Sequence, residues 1–290
     1  MREYFYEAPE SLDELLSLLQ GLNNAEVKLL AGGTDFVPRL SKELDEIPKK
    51  QKPPMHIIYL GNTGNNEIKE DSDNIYVGSL ATLTGIEENN LIKQHFPVLT
   101  QAMKETAGHT VRNIATIGGN IMNASPAADS ITPLLVLDAQ FVLTGIEGSR
   151  TISAKDFFKG PGSTAIDKNE ILTTIVIKKG KGKAAFKKLG RRKAETLSVV
   201  NAAAYIEIEN GIFKAARLAL GAVAPTAVRC YKAESKLIGK PVNPDLIKEI
   251  CSGVVEEINP IDDIRSTAWY RKQVAPVMLE RAINQACSEE

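Results

Sequence analysis

The sequence predicts an α+β protein with two domains, and three patterns along the chain support this. The chain begins with a strand–helix–strand pattern over residues 4–31. Three strand-like runs follow one another within residues 184–221, which favours an antiparallel sheet. From residue 244 onward the apolar residues have helical spacing. At 290 residues, the chain is long enough for roughly two domains of about 150 residues each.

The opening pattern contains clear start and stop signals. Tyr4–Tyr6 is a short aromatic strand. Ser11 and Glu14 form a capping box, in which Ser11 caps a helix and Glu14 reaches back toward it. Gly21 ends this helix, and residues 27–31 form a strand that leads into a pair of glycines. The helix carries leucines at the spacing of one face: Leu12, Leu15, Leu16 and Leu19.

The middle of the chain is predicted to mix strands and helices. Residues 41–54 turn polar, and we expect a solvated loop there. Residues 82–86 open a predicted helix, residues 96–107 form another, and residues 131–137 are a dense apolar run. Strands are predicted over residues 57–60, 74–77, 140–144 and 171–177.

A turn rich in glycine and lysine, over residues 178–183, separates two predicted domains. The first covers residues 1–177, with subdomains of about 1–56 and 57–177, and the second covers residues 178–290. Asn210-Gly211 is a strong hairpin signal between two strand-like runs of the second domain. The predicted elements of this domain are strands over residues 184–189, 202–208 and 215–221 and helices over 244–258 and 266–287. Pro276 is expected to kink the last helix.

Composition and charge disfavour several kinds of partner. The formal net charge is -1, so neither nucleic acid nor an anionic membrane surface is expected as the main partner. No apolar stretch approaches the ~18–20 residues that span a bilayer. Acidic residues stand near the N-terminus, where a signal peptide would carry an apolar core. We therefore expect a cytoplasmic protein.

The cysteines and histidines do not predict a metal site. The three cysteines are widely spaced and form no CxxC pair, so neither a disulfide framework nor a zinc or iron–sulfur site is indicated. The three histidines are also far apart in the sequence. These residues are Cys230, Cys251, Cys287, His56, His95 and His109.

Two glycine-rich segments carry the main functional signal. Residues 29–35 read Leu-Leu-Ala-Gly-Gly-Thr-Asp, and residues 116–120 read Thr-Ile-Gly-Gly-Asn. Paired glycines permit positive φ and remove the Cβ, so backbone N–H groups can converge on an anion. Thr34, Thr116 and Asn120 could add side-chain hydrogen bonds. The two segments together predict a ligand with two phosphates that is held from both sides.

The common phosphate-binding motifs do not explain these segments. Neither segment has the GxGxxG spacing of a Rossmann fold or the GxxxxGK[ST] spacing of a P-loop. A lone Gly-Gly-Thr-Asp can also be a simple tight turn after a strand. Asp35 and Asp129 would repel phosphate, so we expect them to accept hydrogen bonds from sugar hydroxyls or to cap their own loops.

Residues 31–35 and 112–120 resemble the two FAD-binding motifs of the medium subunit of molybdenum hydroxylases. This family includes xanthine, nicotinate and carbon monoxide dehydrogenases. The resemblance covers nearly the whole chain, and its further matching segments are residues 160–162, 170–172, 186–189, 221–226 and 270–271. Relatives that reduce aromatic CoA thioesters carry an inserted loop with four cysteines. This chain lacks that cluster, which disfavours that branch.

The resemblance implies a fold and a set of cofactor contacts. The fold would be of the vanillyl-alcohol-oxidase (PCMH) type, with FAD clasped between two α/β subdomains, followed by a C-terminal domain of antiparallel sheet and helices. The implied FAD-lining residues are Leu29, Leu30, Ala31, Gly32, Gly33, Thr34, Asp35, Phe36, Thr106, Ala107, Thr116, Ile117, Gly118, Gly119, Asn120, Asp129, Leu172 and Lys187. Lys187 is expected to lie near the flavin and to stabilise its reduced, anionic form. No catalytic residue or metal ligand is expected in this chain.

The resemblance also implies an electron-transfer role. The substrate would be oxidised at a molybdopterin centre in a large subunit. Electrons would pass through [2Fe–2S] clusters of a small subunit to FAD in this chain, and then to NAD⁺ or another acceptor. Residues 160–162 and 224–230 favour the xanthine type. The alternatives are a stand-alone FAD-dependent oxidase or reductase with its own small substrate, and a non-catalytic nucleotide-binding module.

Overall fold

The N-terminal part of the chain forms a small parallel sheet with two helices. The computed structural model describes residues 2–22, 25–45 and 53–288. The elements of this part are β1 (Tyr4–Glu7), α1 (Leu12–Gly21), β2 (Glu26–Leu30), α2 (Phe36–Asp45) and β3 (Met55–Tyr59). The strands lie in the order β1-β3-β2, so β2 is at one edge of this sheet.

The start of α1 follows its sequence signals closely. The Ser11 hydroxyl accepts a hydrogen bond from the Glu14 amide at 3.2 Å, as an N-cap does. The Glu14 carboxylate accepts from the Glu10 amide at 2.8 Å, one residue before the expected position. Leu15, Leu16 and Leu19 are buried beneath the helix.

The polar stretch predicted as a loop over residues 41–54 is helical at its start. Residues 41–45 complete α2, and residues 46–52 lie outside the described residues. Phe36, Leu40 and Glu43 share the less exposed face of this helix, at spacings of four and three residues. Lys42, the other charged residue of this stretch with a described side chain, is exposed.

A larger antiparallel sheet forms the second part of the first domain. The strands lie in the order β4-β5-β10-β6-β7, so β10, the last of them in the sequence, is the central strand. Its elements are β4 (Ile68–Glu70), β5 (Asn74–Gly78), α3 (Leu83–Glu88), α4 (Asn90–His95), α5 (Pro97–Glu105), α6 (His109–Arg112), α7 (Ile117–Met122), α8 (Ile131–Val136), β6 (Gln140–Gly145), β7 (Gly148–Ser153), α9 (Ala154–Phe157), β8 (Phe158–Gly160), β9 (Ser163–Thr164) and β10 (Ile171–Lys178).

The C-terminal part is an antiparallel sheet backed by helices, in agreement with the predicted fold class. Asn210 (φ 54°) and Gly211 (φ 75°) make the predicted hairpin turn, because a two-residue turn of this kind needs positive φ at both positions. The elements are β11 (Lys183–Gly190), β12 (Ser198–Glu209), β13 (Ile212–Gly221), β14 (Val228–Arg229), α10 (Tyr231–Leu237), α11 (Pro244–Ser252), a 3₁₀ helix (Gly253–Glu256) and α12 (Ala268–Ser288).

Two details of this part differ from or extend the sequence prediction. The helix predicted over residues 244–258 ends at Ser252 and tightens into the 3₁₀ turn. Pro276 lies inside α12, which continues on both sides of it. Within the described residues, no helix is both long enough and apolar enough to cross a membrane.

The two domains share packed surface. The main core of the first domain includes Phe186 on β11, together with Ala203 and Tyr205 on β12. A second core lies between the C-terminal sheet and its helices. A small third core joins α1 and β3 of the parallel sheet to Ile171 at the start of β10. Leu19 and Ile171 of this third core also line the gap between the two sheets of the first domain.

Candidate functional site

A cleft of about 600 Å³ lies between the edge of the parallel sheet and the larger sheet. One wall is β2 with the segment that follows it, residues 27–36. The other wall combines residues 79–80, 115–123 and 166–172. Both glycine-rich segments therefore face the same cavity, as the sequence predicts.

The first glycine segment makes the sharp connection from β2 to α2. Gly33 has φ +69°, a conformation that side chains with a Cβ rarely adopt. A Cβ added at Gly32 would lie 1.9 Å from the carbonyl oxygen of Ile114 on the opposite wall. Glycine at position 32 therefore allows the two walls to touch, in addition to any approach of a ligand.

The backbone of this segment presents unpaired donors to the cleft. In the described part of the chain, the amide N–H groups of residues 32–36 donate to no protein acceptor. The last of these groups also begins α2, where the helix dipole favours negative charge. A row of convergent N–H groups is the arrangement that binds phosphate oxygens.

The second glycine segment is built differently, and the prediction that it forms an open anion nest was wrong. Residues 117–122 are the short helix α7, capped by Thr116. Its amide groups already have protein acceptors: Ile117 donates to Ala81, Gly118 to Ser79, Gly119 to the Thr116 hydroxyl, and Asn120 to the Thr116 carbonyl. A Cβ at Gly118 would lie 2.7 Å from the Ser79 carbonyl oxygen, so this glycine is required by packing.

Side chains supply the donors that remain on this second wall. The Asn120 carbonyl oxygen accepts from the Ser130 hydroxyl, which fixes the amide orientation. The Asn120 NH₂ group has no acceptor among the residues that the structure describes, and it lines the cleft. Arg39 on α2 connects the walls, since it pairs with Asp35 at 2.9 Å and donates to the side-chain oxygen Oδ1 of Asn123 at 3.2 Å.

Most of the residues named from the sequence lie in this cleft. Those in its lining are Leu29, Leu30, Ala31, Gly32, Gly33, Thr34, Asp35, Phe36, Thr116, Gly118, Gly119, Asn120 and Leu172. Ile117 turns its side chain into the core and is 1% exposed. Thr106, Ala107, Asp129 and Lys187 lie outside the lining.

Thr106 and Ala107 form part of a buried turn. The Arg112 guanidinium donates to both of their carbonyl oxygens, at 3.2 and 3.0 Å. The same guanidinium pairs with Glu87 at 3.0 Å. These contacts hold the turn that precedes the second glycine segment.

Asp129 joins the two domains. Its carboxylate accepts from Lys188 at 2.6 Å, from Ser198 at 2.6 Å and from Asn201 at 3.0 Å, all on strands of the C-terminal sheet. Burial raises the pKa of Asp129, against the opposite effects of Lys188 and the two hydrogen bonds. Lys187, one residue before Lys188 on β11, is partly buried at this boundary.

A further set of cleft residues was not named from the sequence as FAD contacts, although Ala115, Glu170 and Ile171 stand within segments that were quoted for the resemblance. The set comprises Leu19, Val27, Lys28, Leu60, Ser79, Leu80, Ala115, Met122, Asn123, Ile166, Asp167, Lys168, Glu170 and Ile171. Position after a strand was the one available signal, since Ser79 and Leu80 follow β5 and Leu60 follows β3. The rest are brought together by the docking of the two sheets.

Comparisons with known proteins match this architecture across the chain. Residues 2–178 match the family described as FAD binding domain in molybdopterin dehydrogenase. The chain belongs to the molybdenum hydroxylase flavoproteins. Residues 184–286 match a second family, the CO dehydrogenase flavoprotein C-terminal domain.

Relatives of this family are similar to the chain over almost its full length. The glyceraldehyde dehydrogenase medium chain of Sulfolobus acidocaldarius is 33% identical, over 98% of both chains. The xanthine dehydrogenase FAD-binding subunit of Escherichia coli O157:H7 is 32% identical, over 97% of this chain and 95% of its own. A solved carbon monoxide dehydrogenase from Hydrogenophaga pseudoflava superposes with a TM-score of 0.92 at 29% identity, over 99% of this chain and 98% of the other.

The cleft of this flavoprotein fits its family's cofactor. FAD is a long dinucleotide with a central diphosphate, and the cleft is within the volume range of cofactor sites. The unpaired amides of residues 32–36 match a diphosphate, and the Asn120 NH₂ group adds a donor from the second wall. The chain is thus an FAD-binding oxidoreductase subunit of the molybdenum hydroxylase family.

A charge pair at the rim of the cleft predicts a pH effect on stability. Arg150 donates to Glu170 at 2.6 and 2.7 Å and lowers the pKa of that carboxyl. A carboxyl whose folded pKa is depressed stabilises the fold above its ordinary pKa, and this contribution is lost as pH falls through the folded value. We expect Glu170→Gln to lower the melting temperature at neutral pH and to match the wild type in acid. If the melting temperatures of Glu170→Gln and the wild type differed by the same amount at neutral and acidic pH, the Arg150–Glu170 pair would not be the source of the difference.

Proposed function

We propose that this chain is the FAD-carrying electron-transfer subunit of a heteromeric molybdenum hydroxylase. It would receive electrons from the [2Fe–2S] clusters of a small partner subunit and pass them to NAD⁺ or another acceptor. A large partner subunit would hold the molybdopterin and oxidise the substrate. The observation that carries the proposal is the dinucleotide cleft, which lies within the domain that matches the family's FAD-binding domain.

The lengths of the relatives support a separate subunit in a complex. Two of the relatives are named as medium chains, of glyceraldehyde dehydrogenase and of carbon monoxide dehydrogenase, and each is covered almost completely by this chain. Solved relatives include carbon monoxide dehydrogenases and a quinoline 2-oxidoreductase. We infer that this chain likewise assembles with a large and a small subunit.

The chemistry of the site requires binding and orientation from this chain. Bound FAD supplies the redox chemistry, because its ring system exchanges electrons singly or in pairs. The amides of residues 32–36 would hold the diphosphate, and Thr34, Thr116 and Asn120 would add side-chain donors. We propose that Lys187, at the domain boundary, lies near the flavin and stabilises its reduced, anionic form. Asp129 would position the adjacent part of β11 through its ion pair with Lys188.

We propose a xanthine-type substrate for the whole complex. Residues 160–162 and 224–230 favour this type, and a xanthine dehydrogenase subunit is among the relatives at 32% identity. The glyceraldehyde dehydrogenase relative is equally similar, at 33%. The large subunit would bind the substrate, so identification of that subunit would decide between a xanthine and a glyceraldehyde type. The cytoplasmic location stays a prediction.

The test is to express the chain with and without its neighbours in the genome. We expect the purified chain to be yellow and to release FAD, and not FMN, on denaturation. We expect it to co-purify with one iron–sulfur and one molybdopterin subunit, and the complex to reduce NAD⁺ with xanthine. A colourless chain that cannot be reconstituted with FAD would contradict the flavin role. A flavoprotein that oxidises a small substrate alone would contradict the subunit role.

A further inference from the structure

Ser130 occupies the N-cap position of α8 but does not act as a cap. Serine at this position usually accepts a hydrogen bond from an amide in the first turn of its helix. The Ser130 side chain makes no such bond, and its backbone is in the α region, with φ -73° and ψ -26°. Ser130 is 1% exposed, and its hydroxyl donates instead to the side-chain oxygen of Asn120 on α7. The role of this side chain therefore lies outside its own helix.

This hydrogen bond gives the Asn120 amide one preferred orientation. A serine hydroxyl can donate to an amide oxygen or accept from an amide NH₂ group. Among the residues that the structure describes, Asn120 is the one partner of the Ser130 hydroxyl. If the amide turned over, the hydroxyl would accept from the NH₂ group, and its own proton would be buried without an acceptor. The Asn120 oxygen is therefore held toward Ser130, and its NH₂ group is directed to the cleft.

The second wall of the cleft depends on this amide because its backbone donors are already occupied. The amides of residues 117–120 all donate to protein acceptors. Donors from the second glycine segment must therefore come from side chains, which are the Asn120 NH₂ group and the Thr116 hydroxyl. An amide with the opposite orientation would present its oxygen to the cleft and would repel a diphosphate. Ser130 thus sets whether position 120 offers a donor or an acceptor.

The neighbours of Ser130 fix its position from the other domain. The Asp129 carboxylate accepts hydrogen bonds from Ser198 and Asn201 on β12. The Thr132 hydroxyl donates to the side-chain oxygen of Asn201 at 2.9 Å. These contacts hold the start of α8 against the C-terminal sheet on both sides of Ser130. The Ser130 hydroxyl therefore cannot follow the Asn120 amide if that amide rotates.

We propose that Ser130 is a positioning residue for FAD, which holds the Asn120 amide with its NH₂ group toward the diphosphate. This inference rests on the proposed function, in which the cleft holds FAD. Ser130 is not among the residues that line the cleft, so it acts through Asn120. Because the amide is oriented before FAD arrives, binding does not have to order it.

The test removes the hydroxyl and measures FAD binding to the flavin-free full-length chain by flavin fluorescence. In Ser130→Ala, the Asn120 oxygen faces a methyl group whenever its NH₂ group binds the diphosphate, so this oxygen loses its donor. We expect FAD to bind roughly tenfold more weakly. Helix α8 should remain stable, because Ser130 makes no capping bond. A Ser130→Ala chain with wild-type affinity for FAD would overturn the inference.

A double-variant cycle separates this role from a general effect on the fold. Asn120→Ala removes the amide, so Ser130 has nothing left to orient. We expect the addition of Ser130→Ala to Asn120→Ala to weaken FAD binding no further. If Ser130→Ala weakened FAD binding by the same factor in both backgrounds, Ser130 would act without Asn120, and the inference would be wrong.

Thr132→Val provides the matched control. It removes a fully buried hydroxyl from the same segment, but this hydroxyl donates to Asn201 and not to Asn120. We expect a lower melting temperature and an FAD affinity within about twofold of the wild type. If Thr132→Val weakened FAD binding as much as Ser130→Ala, the loss of any hydroxyl here would explain the effect, against the inference. A wild-type chain that binds no FAD would instead contradict the proposed function.

Discussion

Replacing Gly32 with alanine is expected to disrupt the cleft more than any other single methyl group added to its lining. The added Cβ would lie 1.9 Å from the Ile114 carbonyl oxygen, a backbone atom that cannot rotate away. The two walls must separate, and overpacking of this kind costs about 1–3 kcal/mol or more. We expect a lower melting temperature and FAD binding weakened by roughly tenfold or more, because the amides of residues 32–36 move with the wall.

A matched glycine provides the control for this variant. Gly160 has ordinary φ, and a Cβ added there meets nothing within 4 Å. We expect Gly160→Ala to leave FAD affinity and melting temperature close to the wild type. If Gly32→Ala retained wild-type affinity, the walls would have to be more adjustable than the contact between Gly32 and Ile114 indicates.

Removal of the Asp129 carboxylate is the second change with a large expected effect. The side chains of Asp129 and Lys188 are 6% and 5% exposed, so Asp129→Ala leaves a buried ammonium group without its carboxylate, although the Glu105 backbone carbonyl still accepts from it at 2.7 Å. Breaking a buried pair in this way costs about 3–5 kcal/mol. Ser198 and Asn201 also lose their acceptor. We expect the melting temperature to fall by roughly 6–12 °C or more.

Further variants separate charge from hydrogen bonding at this boundary. Asp129→Asn keeps an oxygen for Ser198 and Asn201 but removes the charge, so we expect a smaller loss than in Asp129→Ala. Adding Lys188→Met to Asp129→Asn removes the stranded ammonium group and should restore part of the stability. If the double variant were less stable than Asp129→Asn alone, the unpaired charge would not be the source of the loss.

The sequence predicts those helices and turns that depend on local signals, and it places the two glycine segments at one cleft. The leucines of α1 and the Asn210-Gly211 hairpin are local signals, and both are found in the structure. Gly32 and Gly118 are visible in the sequence, but their roles are not. Each accommodates a backbone carbonyl from a distant segment, and only the docking of the two sheets creates that contact.

The second wall shows that a sequence motif does not predict which hydrogen-bond partners its residues find in the folded chain. Thr116-Ile-Gly-Gly-Asn has the composition of an anion nest, yet Ala81 and Ser79 accept the hydrogen bonds of the Ile117 and Gly118 amides. Those residues lie more than one element away in sequence. Asp129 was expected to accept from sugar hydroxyls or to cap its own loop, and the structure gives its oxygens three donors from the other domain. Both outcomes depend on tertiary partners that no motif contains.

The contact between Gly32 and Ile114 also bears on how quickly the cofactor can leave. Because the walls of the cleft meet there through backbone atoms, we expect a bound dinucleotide to leave only when the fold opens locally at this contact. Its rate of release is then set by the frequency of that opening, and not by the strength of its hydrogen bonds alone. The residence time of FAD and its affinity then become separate properties of this flavoprotein. A substitution that loosens the contact would shorten the residence time before it weakens the affinity.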